Sequence, residues 1–340
     1  MSFTGIYTLN AFCLEEYIMQ ITYGQAINAA LKEEMRRDDK IVVFGEDVAQ
    51  FGGIFGLTRD LHEEFGSMRV KNSPIAENAI AGVGIGAAIT GLRPCIELMY
   101  SDFMLVAFNE LFHCAAKWRF LHGPGYKVPL VVRTAGGAAH GAGAEHSNCF
   151  EGLFMHSPGI AIVCPTTPYD AKGLLKTAIR SDNPVLFFEH KQLYQTKGEV
   201  PEEEYLIPFG KARIVREGSD VTIVAVGLMV SKVMEAAQQL EKDGISAEVI
   251  DPRTLAPFDK DTVFNSIRKT HRAVVVEESN KTGGIGAEIA SMIQEEIYDE
   301  LDGPVRRVAA LDVPIPYNVA LEAYTLPDAE KIVSAVRSLY

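Results

Sequence analysis

The sequence has 340 residues, 47% of them hydrophobic and 23% charged, with a formal charge of −13. At roughly 100–200 residues per domain this length suggests two domains, and the composition is that of a soluble globular chain. The negative balance argues against nucleic acid as a partner, since phosphate contacts need clustered Lys and Arg, and suits a basic protein partner instead.

The N-terminus lacks a basic region followed by an apolar core, so no secretory signal is read there. A second start, Met19, immediately precedes the patterned segment ITYGQAINAALKEEMRRD, and residues 1–20 are expected to form an extension outside the fold. The apolar stretch Asn78–Leu92 is too short for a membrane span.

From there the chain alternates β and α patterns. Short β-rich runs at Ile41–Phe44, Leu130–Arg133, Ile160–Val163, Val185–Phe188, Val221–Val226, Ala247–Ile250 and Ala273–Glu277 predict buried parallel strands. In TTPYDAKGLLKTAI, Thr167 is a candidate N-cap, Pro168 suits the first helical position and Asp170 favours the helix start. Ala171, Leu174, Leu175, Ala178 and Ile179 then fall on one apolar face. The pattern lapses at 191–208, KQLYQTKGEVPEEEYLIP, which is read as a linker between domains at 21–190 and 209–340. The fold class expected is α/β, with two open parallel-sheet domains.

The five cysteines form no CxxC pair and leave one over, which fits neither a disulfide framework nor a zinc site and points to a reducing, cytoplasmic setting. Two glycine strings invite a nucleotide-binding reading. AGVGIGAA does not match GxGxxG, and TGGIGAE, although it follows a strand and opens a helix, also misses the spacing. Structural glycine is the better reading of both. In the first, ENAIAGVGIGAAITG, nearly every side chain is tiny, and glycine costs a helix about 1 kcal/mol relative to alanine. Close approach of another helix or subunit would offset that, and a subunit interface is preferred over a buried intradomain helix.

Residues able to do chemistry cluster in three places. Glu77 stands at a helix start after Pro74, where the dipole favours a carboxylate. Phe103 follows the apolar run in LMYSDF. His140 and His146 lie in RTAGGAAHGAGAEHSN, too rich in Gly and Ala for a strand or an exposed helix, and a loop held by a strand commonly carries function. No local pattern identifies a transition metal.

Five ordered segments, GEDVAQFGG at 45–53, NSPIAE at 72–77, EHSN at 145–148, PTTPYDAKGLL at 165–175 and DPRTLAPFD at 251–259, resemble beta subunits of 2-oxo acid dehydrogenases. This is the family of the pyruvate, branched-chain oxo acid and acetoin enzymes, and the resemblance runs in register from about Ile21 onward. It implies a thiamin-diphosphate pyrimidine-binding domain followed by a transketolase-type C-terminal domain. By resemblance Glu77 is the carboxyl beside the pyrimidine that drives cofactor deprotonation. Phe103 stacks on that ring, Ile75 walls it, and Glu46 is an acidic neighbour. His146 handles protons during decarboxylation or acyl transfer to a lipoyl group, and His140 is the weaker candidate. Two departures are Asn148, where many relatives have Gln, and Ser181, where potassium-binding relatives have an acidic residue. A potassium site near Ala178, Ser181 and Asn183 is therefore only weakly expected.

No GDG occurs in the 340 residues, although this superfamily carries one in the domain that holds magnesium and the diphosphate. The resemblance therefore implies half a site, completed by an alpha subunit in an alpha2–beta2 heterotetramer that hands its product to a lipoyl acyltransferase. Transketolase, on one much longer chain, is disfavoured. Acetoin cleavage and a non-catalytic scaffold for the acyltransferase are the alternatives to a 2-oxo acid substrate.

Overall fold

A computed structural model describes residues 18–340. Two mainly parallel sheets organise them. The first takes β2 (Ile41–Gly45), β3 (Val70–Asn72), β4 (Arg93–Tyr100), β5 (Val131–Gly136), β6 (Ala161–Val163) and β7 (Val185–His190). Its seventh strand, β12 (Thr254–Ala256), comes from the C-terminal half, and the order is β12-β6-β7-β5-β4-β2-β3. All its pairings are parallel except that of β12 with β6. The second sheet has β9 (Arg213–Arg216), β10 (Val221–Ala225), β11 (Ala247–Asp251), β13 (Ala273–Asn280) and β14 (Arg306–Ala310), in the order β14-β13-β10-β11-β9. Only its edge strand β9 is antiparallel.

The helix over Pro168–Arg180 starts as its sequence dictates: Thr167 caps it by accepting the Asp170 N–H, and Pro168 opens it. Its predicted apolar face is buried, and so are Lys172 and Lys176. Both lysines reach Glu33 on the neighbouring helix Tyr23–Arg37, at 2.7 and 2.8 Å. Burying their stems while pairing the ammonium groups is the acceptable way to enclose lysine.

Three expectations change. The extension was placed at 1–20, but Ile18–Gln20 belong to β1 (Ile18–Thr22), and residues 1–17 lie outside the described residues. β1 pairs antiparallel with β8 (Lys197–Pro201), so the stretch read as a linker is structured for part of its length. Farther along, Tyr205 and Ile207 close over Gly173, where any Cβ would meet them at 2.7 Å. Strand β4 was not predicted, because Arg93, Pro94 and Glu97 interrupt its apolar run. Glu97 is accommodated by Arg133 of β5, which donates to it at 2.7 Å and to Glu189 of β7 at 2.7 and 3.0 Å.

The small-residue helix spans Glu77–Ile89. Ile80, Gly84, Ile85 and Ala88 face the sheet, and a Cβ on Gly84 would meet Ile96 at 3.0 Å. The opposite face, with Ala79, Gly82 and Val83, is exposed, and among the described residues nothing stands within 4 Å of a Cβ on Gly82 or Gly86. The helix is therefore half intradomain and half bare. The second glycine string has its own reason: Glu277 accepts the Gly286 N–H at 3.0 Å, and a Cβ on Gly284 or Gly286 would strike that carboxylate. An internal anion takes the place at the helix start that a phosphate would have needed.

Candidate active site

The carboxyl ends of parallel strands are where open α/β sheets bind ligands, because the following loops converge there. β2 ends into Glu46, β3 leads through Pro74 to Glu77, β4 ends into the turn Ser101–Leu105 with Phe103, and β5 ends into the loop carrying His146. The register of β2, β4 and β5 makes these ends neighbours: Gly45 lies opposite Glu97, and Tyr100 opposite Ala135.

Glu46 and Glu77 are both buried, 5% and 6% exposed. Among the described residues the Glu46 Oε1 has no hydrogen-bond partner, a costly condition for a buried carboxylate. Burial pushes its pKa up, and the nearby Glu77, Asp47 and Glu97 charges push it further. Glu77 opens its helix after Ala76, which supplies no side-chain cap. Two buried carboxyls thus stand close enough to feel each other's charge, one with an oxygen that no described residue fills.

His146 and Phe103 are brought together by a residue the sequence reading passed over. The rings of Tyr100, Phe103 and His146 meet edge to face, His146 lying 4.6 Å from Tyr100 and 5.5 Å from Phe103. The Tyr100 hydroxyl is pushed up by burial, and Lys191 lies over its ring at 5.2 Å. Burial lowers the Lys191 pKa, and its ammonium donates to the His146 carbonyl. Asn148 ties the loop to the Phe103 turn, donating to Ala144 O at 2.6 Å and to the Asp102 carboxylate. Its exchange for Gln thus falls on a loop anchor, and LMYSDF held the signal for Tyr100, one strand end before Phe103.

Other expected residues stand apart. Ile75 is 82% exposed, so among the described residues it walls nothing. His140 is exposed, in a left-handed backbone conformation at φ 56°, and is not part of the ring cluster. Near the potassium segment, Arg93 donates to Ile179 O and Ser181 O at 2.9 and 2.6 Å. The carbonyls of Ala178 and Asn183 accept from the Ser181 N–H and hydroxyl, both at 3.1 Å. Among the described residues no cluster of three or more His, Cys, Asp or Glu could hold a metal ion. A cleft of about 970 Å³, lined by Phe120, Pro184 and Phe209 among others, reaches Ser181 and Asn183 but contains none of Glu46, Glu77, Tyr100, Phe103 and His146.

A thiamin pyrimidine fits what the chain offers: a buried, unpartnered carboxyl oxygen on Glu46, a second carboxyl on Glu77, and an aromatic at the next strand end.

Known proteins resemble this chain over most of its length. The family "Transketolase, pyrimidine binding domain" matches residues 19–197, and "Transketolase, C-terminal domain" matches 210–332. The 2-oxoisovalerate dehydrogenase subunit beta of Bacillus subtilis (strain 168) is 47% identical, covering 94% of this chain and 98% of that protein. The pyruvate dehydrogenase E1 component subunit beta of Porphyra purpurea is 48% identical over 92% and 95%. The acetoin:2,6-dichlorophenolindophenol oxidoreductase subunit beta of Bacillus subtilis (strain 168) is 44% identical over 94% and 97%. A solved chain described as a split gene transketolase, inactive beta4 tetramer, matches at TM-score 0.77 and 27% identity, over 94% of this chain and 98% of that one. That neighbour corrects one step of the sequence argument: a transketolase divided between genes shows that a missing GDG does not by itself set this chain apart from transketolases. The higher identity, 44–48% over nearly the whole length, does so. The chain belongs to the transketolase-like, thiamin-diphosphate-dependent family of 2-oxo acid dehydrogenase E1 beta subunits.

Proposed function

We propose that this chain is the pyrimidine-side half of an enzyme that oxidatively decarboxylates pyruvate or a branched-chain 2-oxo acid. It works with an alpha subunit in an alpha2–beta2 heterotetramer and delivers the acyl group to the lipoyl group of an acyltransferase. The observation that carries this reading is the buried Glu46–Glu77 pair, with one oxygen left unpartnered at the strand ends. Bound there, thiamin diphosphate would supply a carbon nucleophile.

The chain's own residues have distinct tasks. Glu77 holds and returns a proton at the pyrimidine nitrogen, helped by a site that is half dry on this chain and closed by the partner. Burial, and then the charge of Glu77, push the Glu46 pKa up, which favours its protonated form beside Glu77. Phe103 presents a flat apolar face, and exposed Ile75 gains a role as a wall only once the alpha subunit covers it. His146, anchored through its carbonyl by Lys191, moves protons during acyl transfer. Magnesium and the diphosphate belong to the alpha subunit, since no GDG occurs here. The carbonyls of Ala178, Ser181 and Asn183 keep a second lone pair each, which is what supports potassium there; no step depends on it. A cytoplasmic location suits the free thiols of Cys95, Cys114, Cys149 and Cys164. No helix among the described residues is long and apolar enough to cross a membrane.

An acetoin substrate is the second reading, favoured by the 44% identical acetoin relative. A non-catalytic scaffold is disfavoured, because it would need neither the carboxyl pair nor the ring cluster. Turnover by the reconstituted alpha–beta pair with pyruvate, 2-oxoisovalerate and acetoin decides among them: a 2-oxo acid should be preferred. In calorimetry the chain alone should bind thiamin diphosphate and magnesium weakly or not at all. Tight stoichiometric binding without the partner would overturn the half-site reading.

A further inference from the structure

The loop after β5 is gripped from the C-terminal domain. Glu278 on β13 accepts the Ala138 N–H through Oε1 at 2.6 Å and bonds His190 Nε2 through Oε2 at 2.8 Å. His190 Nδ1 accepts the Gln192 N–H at 3.2 Å, so the ring proton sits on Nε2 and donates to Glu278. Gln192 Nε2 in turn donates to Ala138 O at 2.7 Å, so the 138 peptide is held at both ends. The backbone lies directly on the imidazole: a Cβ on Gly137, at φ +79°, would stand 1.9 Å from His190 Nε2. Glu278 and His190 are both buried, and water is a poor substitute for either bond. Eight residues on, the same loop presents His146 to Tyr100 and Phe103. Neither Glu278 nor His190 is part of the ring cluster.

We propose that Glu278, oriented by His190, is a positioning residue for His146, so that docking of the C-terminal domain sets the geometry of the active-site loop. This rests on the role given to His146 above. Glutamine at 278 has one acceptor oxygen for two donors, and His190 cannot switch tautomer without opposing the Gln192 N–H. Glu278→Gln must therefore lose either the loop or the ring. His190→Gln is the milder variant: it leaves the carboxylate and its bond to Ala138 but frees its orientation.

The test uses the assembled alpha–beta enzyme and four variants: Glu278→Gln, His190→Gln, His146→Ala, and His146→Ala combined with Glu278→Gln. Decarboxylation with an artificial electron acceptor and acylation of a lipoyl domain are measured separately, with hydrogen exchange of the peptide 137–148. Glu278→Gln should lower kcat roughly 10- to 100-fold in the step that His146→Ala impairs, with KM for the 2-oxo acid nearly unchanged. Added to His146→Ala it should have almost no further effect, and it should speed exchange of the loop by about tenfold. His190→Gln should do the same more weakly, and it carries the test if Glu278→Gln fails to assemble. Additive losses, or loop exchange equal to wild type, would overturn the positioning role while leaving His146 in the site. Wild-type rates for His146→Ala in both assays would instead remove His146, and the proposal with it.

Discussion

At the scale of single residues, the site is an unusual placement of two acids. A buried carboxyl without a partner is expensive, and Glu46 carries that cost beside Glu77 instead of finding an internal donor. Such a defect is tolerated where a ligand completes it. Glu77→Gln preserves shape and burial but removes the exchangeable carboxyl proton. Turnover of the assembled enzyme should fall by about 10²–10⁴-fold, the usual range for one general acid–base group. Activity within a few-fold of wild type would remove Glu77 from the role. The candidates Glu77, Phe103 and His146 were legible because each sits in a short motif with an ordered neighbour. Tyr100 and Lys191 were not: one is the last residue of a strand hidden by its own charges, and the other is forty-five positions from the carbonyl it holds. Only the fold brings such pairs together.

At the scale of elements, two of the segments that carried the resemblance turn out to face each other. PTTPYD opens the helix Pro168–Arg180, and DPRT closes β11 and begins β12, which joins the first sheet. Arg253 pairs with Asp170 at 2.8 Å, Thr166 donates to Asp251, and Asp251 accepts the Arg253 N–H at 2.9 Å. Sequence reading recognised the helix cap and the strand from local pattern, but not that one motif latches the other across the domains. Burial, then the Asp170 charge, pushes Asp251 up to about 7. In the unfolded chain it titrates near the ordinary value of about 4. Between those two values the folded state holds a proton that the unfolded state has released, so this group's contribution to stability falls as pH rises through that window. Asp251→Asn cannot titrate and should flatten the fall in thermal midpoint between pH 5 and 7. An unchanged pH slope in the variant would assign the protonation elsewhere.

At the scale of the whole molecule, the chain exposes surfaces that an isolated enzyme has no use for. The bare face of the small-residue helix and Phe120, 90% exposed, fit a subunit that closes its site only with a partner. A different surface is acidic. In the helix Ile285–Ile297, Ile289, Ile293 and Ile297 face the core. Glu296 is paired with Lys260, and Asp302 with Arg272, while Glu288, Glu295 and Asp299 project into solvent. Acidic groups at a helix C-terminus oppose its dipole, so the charges of Glu295 and Asp299 do not favour the helix they end, although Glu295 accepts the Ser291 hydroxyl at 3.0 Å. A basic domain of the proposed acyltransferase partner would meet carboxylates that have no cation beside them among the described residues. Complementary charge of this kind acts mainly on the rate of encounter and is screened over about 10 Å at 0.1 M salt. Replacing Glu295, Asp299 and Glu300 with Ser should therefore slow association with the acyltransferase at low salt, converge on wild type as salt is raised, and leave decarboxylation by the heterotetramer unchanged. Stopped-flow association across a salt series is the measurement, and curves that superpose on wild type throughout would reduce the patch to ordinary solvated surface.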